Sequence, residues 1–288
     1  MLSPAPLCTL TYALGRSLYV PLTCRSNTRT LPETRGPGFV LPTDVVSSLL
    51  EVRRLELLGG AGDDVILADS KLGRNSGAGV SLSTDGKMHL PPLDLPYVSH
   101  LDDATASSPQ IVTDEMLCKD IESRFQHAKR NNLQYDSLVI AGEGEPTLRL
   151  STLLDVVRRP IRSSSFGYTT PSTIRVVTNG LGDAVPGNGR GGESCAQRMK
   201  EAGVSGVSVA LMTASSDQYD ELMMPCLADT VSFPAHEVVC DFIVSAIDVG
   251  LGVEVTGVDR IEVDKAATES LAKSLGVVDP VRWRPYFP

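Results

Sequence analysis

Two rhythms of apolar residues alternate along this 288-residue chain. Short apolar runs, rich in Val, Ile and Leu, occur at Leu138–Ala141, Thr173–Thr178, Gly206–Leu211, Val253–Thr256 and Val281–Arg284. Such runs, bounded by turn residues, predict buried strands. Ser17–Thr23 supplies a further strand near the start. Between the strands, apolar residues fall at helical spacing. Thr113 is an N-cap residue ahead of Met116, Leu117, Ile121, Phe125 and Ala128. Leu150–Arg158 predicts a helix ended by Pro160. Ser194–Ala202 predicts another, stopped by Gly203. Ser215 or Ser216 caps a short helix through Met223. Ala235–Val249, with Val238, Val239, Phe242, Ile243 and Ala246 on one side, predicts a helix stopped by Gly250. Asp264–Leu275 predicts the last, ending at Gly276.

Strands that alternate with helices imply right-handed βαβ units and a parallel sheet. About six strands suit an α/β fold of the partial (β/α)6 TIM-type barrel rather than a complete eight-stranded one. Residues 40–112 break the rhythm and predict a segment inserted after the first strand, within a barrel spanning residues 9–288. Within the insertion, Thr43–Leu58 predicts a helix and Asp64–Leu67 a short strand. Val80–Leu90 predicts a hairpin about Asp85-Gly86, and residues 91–110 a loop. The glycine-rich stretch 182–193 predicts a mobile loop.

Composition narrows the function. A 42% hydrophobic, 21% charged chain can bury a sizeable core. A net charge of −9 argues against a nucleic-acid partner or an anionic membrane surface. No apolar run approaches the ~20 residues of a membrane span. The N-terminal residues lack the basic and apolar regions of a secretory signal, so the expected compartment is cytoplasm or an organellar matrix or stroma. Six cysteines occur, at 8, 24, 118, 195, 226 and 240, with no Cys-x2-Cys or Cys-x3-Cys pair. That spacing predicts reduced thiols and no metal site.

In α/β proteins, loops at the C-terminal ends of strands hold ligands. After the second predicted strand stands Gly142-Glu143-Gly144-Glu145-Pro146-Thr147-Leu148-Arg149. Its glycines allow close backbone approach, and its carboxylates suit an ammonium group. After the third strand stands Thr178-Asn179-Gly180, and after the fourth Ala210–Leu222. The chain ends with Arg282-Trp283-Arg284-Pro285-Tyr286.

Together these segments resemble the radical S-adenosylmethionine (SAM) superfamily, and within it the TatD-associated radical SAM proteins. The likeness covers residues 9–35 and 113–288. It implies SAM as a cofactor, with its amino group held at the turn of Glu143, Gly144, Glu145 and Pro146. Thr178 and Asn179 are implied at the ribose, with Ser208 and Thr213 as weaker candidates for the same pocket. The resemblance also implies a Cys-x3-Cys-x2-Cys loop after the first strand, holding a [4Fe–4S] cluster. Here those three positions fall at Ser26, Thr30 and Glu33, with Cys24 two residues early. Hydroxyls are neither soft nor ionised at neutral pH, so they are poor ligands for such a cluster. Three readings follow. The first is a non-radical binding or scaffold protein on this fold, with a small anionic molecule or a protein as partner. The second is a radical enzyme with atypical cluster ligation. The third is a non-radical SAM-dependent enzyme. The loss of all three thiols favours the first. Arg25, Arg29 and Arg35, in the altered loop, are candidates for binding a carboxylate or phosphate.

Overall fold

A computed structural model describes residues 9–58, 87–88, 112–162, 171–189, 192–227 and 233–288. All six expected strands form. They are β2 (Ser17–Val20), β5 (Ser137–Ile140), β6 (Thr173–Thr178), β7 (Gly206–Ala210), β8 (Gly252–Asp259) and β9 (Arg282–Pro285). They lie in one sheet in chain order, β2-β5-β6-β7-β8-β9, every neighbouring pair parallel. An order without a reversal has no crevice of the doubly wound kind. The sheet curls into a half-barrel.

One strand is added to the expectation. β1 (Tyr12–Leu14) pairs antiparallel with β2 at the sheet's edge. Gly15, at φ 59°, makes the tight turn between them. The Tyr12 and Tyr19 rings stack across the pair at 5.1 Å between centroids, which supplies the packing that three residues of strand lack alone.

The helices are α1 (Leu31–Thr34), α2 (Thr43–Leu58), α3 (Asp114–Arg130), α4 (Leu150–Arg162), α5 (Cys195–Ala202), α6 (Ser216–Met223), α7 (Ala235–Asp248) and α8 (Lys265–Ser274). Their caps follow the sequence. Thr113, Ser194, Ser215 and Asp264 each accept a backbone N–H of the first turn, and Gly203 closes α5 at φ 106°. One expectation needs correction. α4 runs past Pro160 to Arg162, because a proline in a last turn removes one backbone bond where few remain to be lost. Met116 is 38% exposed, whereas Leu117, Ile121, Phe125 and Ala128 are buried. It sits in the first turn of α3, clear of the face that packs on the core.

Period-two alternation gives the sheet two different faces. Leu18, Val20, Leu138, Ile140, Val176, Val207, Val209 and Val255 are buried in the main core with helix residues such as Leu153, Val157, Met199, Val239 and Ile243. The alternate positions on the concave face include Tyr19, Arg175, Val177, Ser208, Glu254, Thr256, Arg282 and Arg284. Between β2 and α3, α2 matches its predicted span. Lys87–Met88 (β4) pairs with Leu41–Pro42 (β3). The predicted strand at 64–67 and the first arm of the predicted hairpin lie outside the described residues. Among the described residues, no helix is long and apolar enough to cross a membrane.

Candidate functional site

The turn after β5 is the centre of a buried polar network at the C-terminal ends of the strands. Glu145 caps the 3-10 turn Pro146–Arg149, with Pro146 at its first position, where a missing N–H costs nothing. The Glu145 carboxylate accepts four hydrogen bonds. Thr147 N donates at 3.0 Å, Thr147 Oγ1 at 2.7 Å, Thr178 Oγ1 at 2.8 Å and Asn179 N at 2.7 Å. Three of these bonds fall on Oε1 and one on Oε2, so the carboxylate is largely engaged within the protein. Burial pushes its pKa up, against the pull of the Asn179 and Thr147 donors. The network thus ties the end of β5 to the end of β6. Gly180 follows at φ 83°, and Asn179 keeps ordinary backbone geometry, although the turn pattern allows positive φ at both.

Glu143 is paired as well. Arg53, from α2, donates to it through Nε, at 2.6 Å, and Nη2. Both side chains are buried. Burial raises the Glu143 pKa, and the Arg53 hydrogen bond opposes that rise.

The close approach that the glycines permit is made by the chain's own loop after β2. A Cβ on Gly144 would lie 2.3 Å from Arg25 O and 2.6 Å from Thr23 O. Gly144 N donates to Thr23 O at 3.2 Å and Glu145 N to Arg25 O at 2.8 Å. One on Gly142 would meet Pro21 at 2.5 Å.

That loop satisfies its own polar groups. Glu56, also from α2, accepts from Thr23 Oγ1, Cys24 N and Cys24 Sγ at 2.9, 2.8 and 3.1 Å. Burial, with Glu56 alongside, pushes the Cys24 thiol far above its usual range. Asn27 Oδ1 accepts from Asn179 Nδ2 at 2.7 Å. Cys226 N donates to Asn27 O, and Arg29 N to Met223 O. Ser26 Oγ lies 3.4 Å from Thr28 Oγ1. Thr30 and Glu33 form a capping box at the start of α1, with Thr30 N donating to Glu33 Oε2 at 2.7 Å. Ser26, Thr30 and Glu33 are therefore engaged with their own neighbours. Cys118 and Cys195 are buried in the core, away from the loop. Among the described residues, no three His, Cys, Asp or Glu side chains are placed to hold a metal ion. Ser26, Thr30 and Glu33 offer two hydroxyls and a carboxylate rather than thiolates, a poor donor set for a [4Fe–4S] cluster.

The loop 182–193, expected to be mobile, is pinned where it is described. Buried Asn188 donates to Thr147 O at 2.8 Å and Gly182 O at 2.9 Å. Ser208 donates to Glu254, and Thr213 to Gln218.

A cavity of about 180 Å³ opens on the concave face. Its strand walls are Tyr12, Tyr19, Arg175, Val177, Thr256, Val258, Arg282 and Arg284. Leu31, Thr34, Arg35 and Phe39 close one side, and Ala141, Gly142 and Met212 the end. None of Glu143, Gly144, Glu145, Pro146, Thr178 and Asn179 lines it. Of the three loop arginines, only Arg35 does. Arg29 instead reaches Leu222 O at 3.4 Å. Glu254 bridges Arg175 at 3.1 Å and Arg282 at 3.0 Å, and accepts from Ser208 at 2.9 Å. Burial alone would raise the Glu254 pKa, but the bonds from Arg282 and Ser208 and the Arg175 charge hold it below the usual range. The sequence carried a signal for these residues: Arg175 and Glu254 interrupt apolar strands, and Arg282 and Arg284 sit two apart on one strand. For Arg53, Glu56 and Asn27 it carried none.

No protein-family model matches the sequence, and no curated protein matches it. Among solved structures, the chain is similar to a radical SAM methyltransferase from Sphaerobacter thermophilus, with a TM-score of 0.45 and 20% identity, over 62% of this chain and 49% of that one. It is similar to SuiB of Streptococcus suis bound to S-adenosylmethionine, with a TM-score of 0.38 and 16% identity, over 59% and 34%. It is also similar to TsrM of Kitasatospora setae, a radical S-adenosylmethionine methyltransferase with cobalamin and a [4Fe-4S] cluster bound, with a TM-score of 0.40 and 11% identity, over 61% and 31%. The chain thus spans 31–49% of the length of these neighbours.

Proposed function

We propose that this chain is a non-radical, cluster-free binding protein on a radical-SAM-type half-barrel, of the TatD-associated kind, whose ligand site is the concave cavity. The observation that carries the reading is the loop after β2. Where the family places cluster cysteines, Thr30 and Glu33 cap a helix and Ser26 bonds within the loop. A second observation bears on SAM. The residues expected to hold its amino group, Glu143 and Glu145, spend their carboxylates on Arg53 and on four internal donors. Carboxylates already engaged in this way support a structural role for the turn. In this reading the Gly142–Thr147 turn is a structural joint between β5, β6 and the loop, and the open space lies beside it. Calorimetric titration of the purified protein with SAM tests this. The expected result is no saturable heat. Saturable binding that is abolished by Glu145→Gln in a protein that still folds would sink the proposal.

A further inference from the structure

The cavity is strongly basic inside an acidic protein. Four guanidiniums, of Arg35, Arg175, Arg282 and Arg284, face it, and the carboxylate among them is Glu254. That carboxylate is shared between Arg175 and Arg282. The Arg284 side chain is half-buried beside them and makes no hydrogen bond or ion pair to a described residue, with the Glu254 charge acting on it at longer range. Arg35 is held rigidly. Its Nε donates to Pro285 O at 2.9 Å, and its guanidinium carbon lies 4.5 Å from the Phe39 ring centre and 5.4 Å from that of Phe287. Burial and the neighbouring charges of Arg284 and Arg282 lower the Arg35 pKa, and burial and Arg282 lower that of Arg284. Crowded like charges in a partly enclosed space are relieved by an anion, and guanidinium forks match carboxylate and phosphate oxygens in pairs.

We propose that the concave cavity binds a small dianion, a phosphate monoester or a short dicarboxylate, with Arg284 as its main anchor and Arg35 and Arg282 beside it. The cavity lies below the ~300–1,000 Å³ of pockets for drug-sized ligands, so the body of the ligand is small. Val177, Met212 and Val258 give it an apolar wall. The residues after β9 hold the Arg35 segment in place. Phe287 N donates to Arg35 O at 2.8 Å, and Gly38 N to Phe287 O at 3.0 Å. Gly36 is required there, because a Cβ on it would lie 2.2 Å from Phe287 O.

The inference rests on the reading of the cavity as a ligand site. Its test is calorimetric titration at low salt with inorganic phosphate and with malonate, acetate serving as the monoanion control. Fluorescence of Trp283, the single tryptophan and the residue between Arg282 and Arg284, gives a second readout. Saturation by phosphate, malonate or both is expected, and which of them binds tighter separates the two ligand chemistries. Arg284→Ala weakens binding about tenfold or more, as loss of charge-assisted bonds requires. The side chain makes no hydrogen bond or ion pair to a described residue, so the variant is expected to fold. Should it fail to fold, Arg284→Lys keeps the charge without the fork and still weakens binding. No saturation by either dianion, or equal affinity in wild type and the folded Arg284 variant, would overturn the proposal. An iron-bearing protein that still takes up phosphate would sink the cluster-free reading and leave this one standing. A colourless protein indifferent to both dianions would do the reverse.

Discussion

Replacement of Glu145 by Ala separates a structural joint from a ligand-binding carboxylate. In the structure the substitution removes the acceptor of four buried hydrogen bonds. The Thr147 and Thr178 hydroxyls can rotate toward other acceptors. The main-chain N–H groups of Thr147 and Asn179 cannot. A buried donor left without a partner costs about 1–3 kcal/mol, so these two alone cost about 2–6 kcal/mol. In a chain of this size, one kcal/mol moves Tm by about 2–4 °C. The melting temperature of Glu145→Ala therefore falls by between about 4 and 24 °C. Glu145→Gln keeps one oxygen for the Thr147 and Thr178 donors and sets its NH2 against Asn179 N–H, so it loses about 1–3 kcal/mol. Thermal unfolding followed by Trp283 fluorescence, with urea titration as a check, measures both. A Glu145→Ala protein that melts within about 2 °C of wild type would refute the reasoning, because the carboxylate would then be free for a ligand.

Three further outcomes follow from the same network. Gly144→Ala places a methyl group against the backbone at Thr23 and Arg25. It should cost about 1–3 kcal/mol by overpacking, and a wild-type melting temperature would show that the loop does not rest on the turn. Glu143→Ala leaves Arg53 buried without its carboxylate and should cost about 3–5 kcal/mol; urea unfolding that shows less than 1 kcal/mol, about a unit of RT ln 5, would contradict the buried pair. Glu254 has a folded-state pKa below its unfolded value, so its contribution is present above the unfolded pKa of about 4.3 and is lost as pH falls through the folded value. The gap in Tm between wild type and Glu254→Gln should be full at about pH 7 and shrink progressively once the pH falls below about 4.3. A gap that does not change with pH through the acid range would remove the pairing as its cause.

Much of this architecture was legible because it is local. β6 occupies the residues predicted for it, Thr173–Thr178, since its run of β-branched residues ends at an Asn-Gly turn. Ser194 and Gly203 mark the ends of α5 by cap chemistry alone. β1 was not legible: three residues carry little pattern, and its pairing depends on Tyr19 across the turn. The capping box of Thr30 and Glu33 has a sequence signature, but at the sequence level those residues stood out as departures from a cysteine pattern. The site divided in the same way. Glu145, Thr178 and Asn179 do come together, as their shared place at strand ends implied. Their bonding to one another, and the Arg53–Glu143 pair across 90 positions, are tertiary facts that no local pattern encodes. The loop sequence points to Arg25, Arg29 and Arg35 as the groups for an anionic ligand. Only Arg35 reaches the cavity; the other arginines there come from the strands.

The central claim is that the loop after β2 is a closed structural element and not a cluster site. Anaerobic reconstitution of the purified protein with iron and sulfide, followed by desalting, iron analysis and visible absorption, tests it most directly. The account predicts a colourless protein with iron far below one atom per chain. A broad iron–sulfur absorption band with about four irons per chain would contradict it.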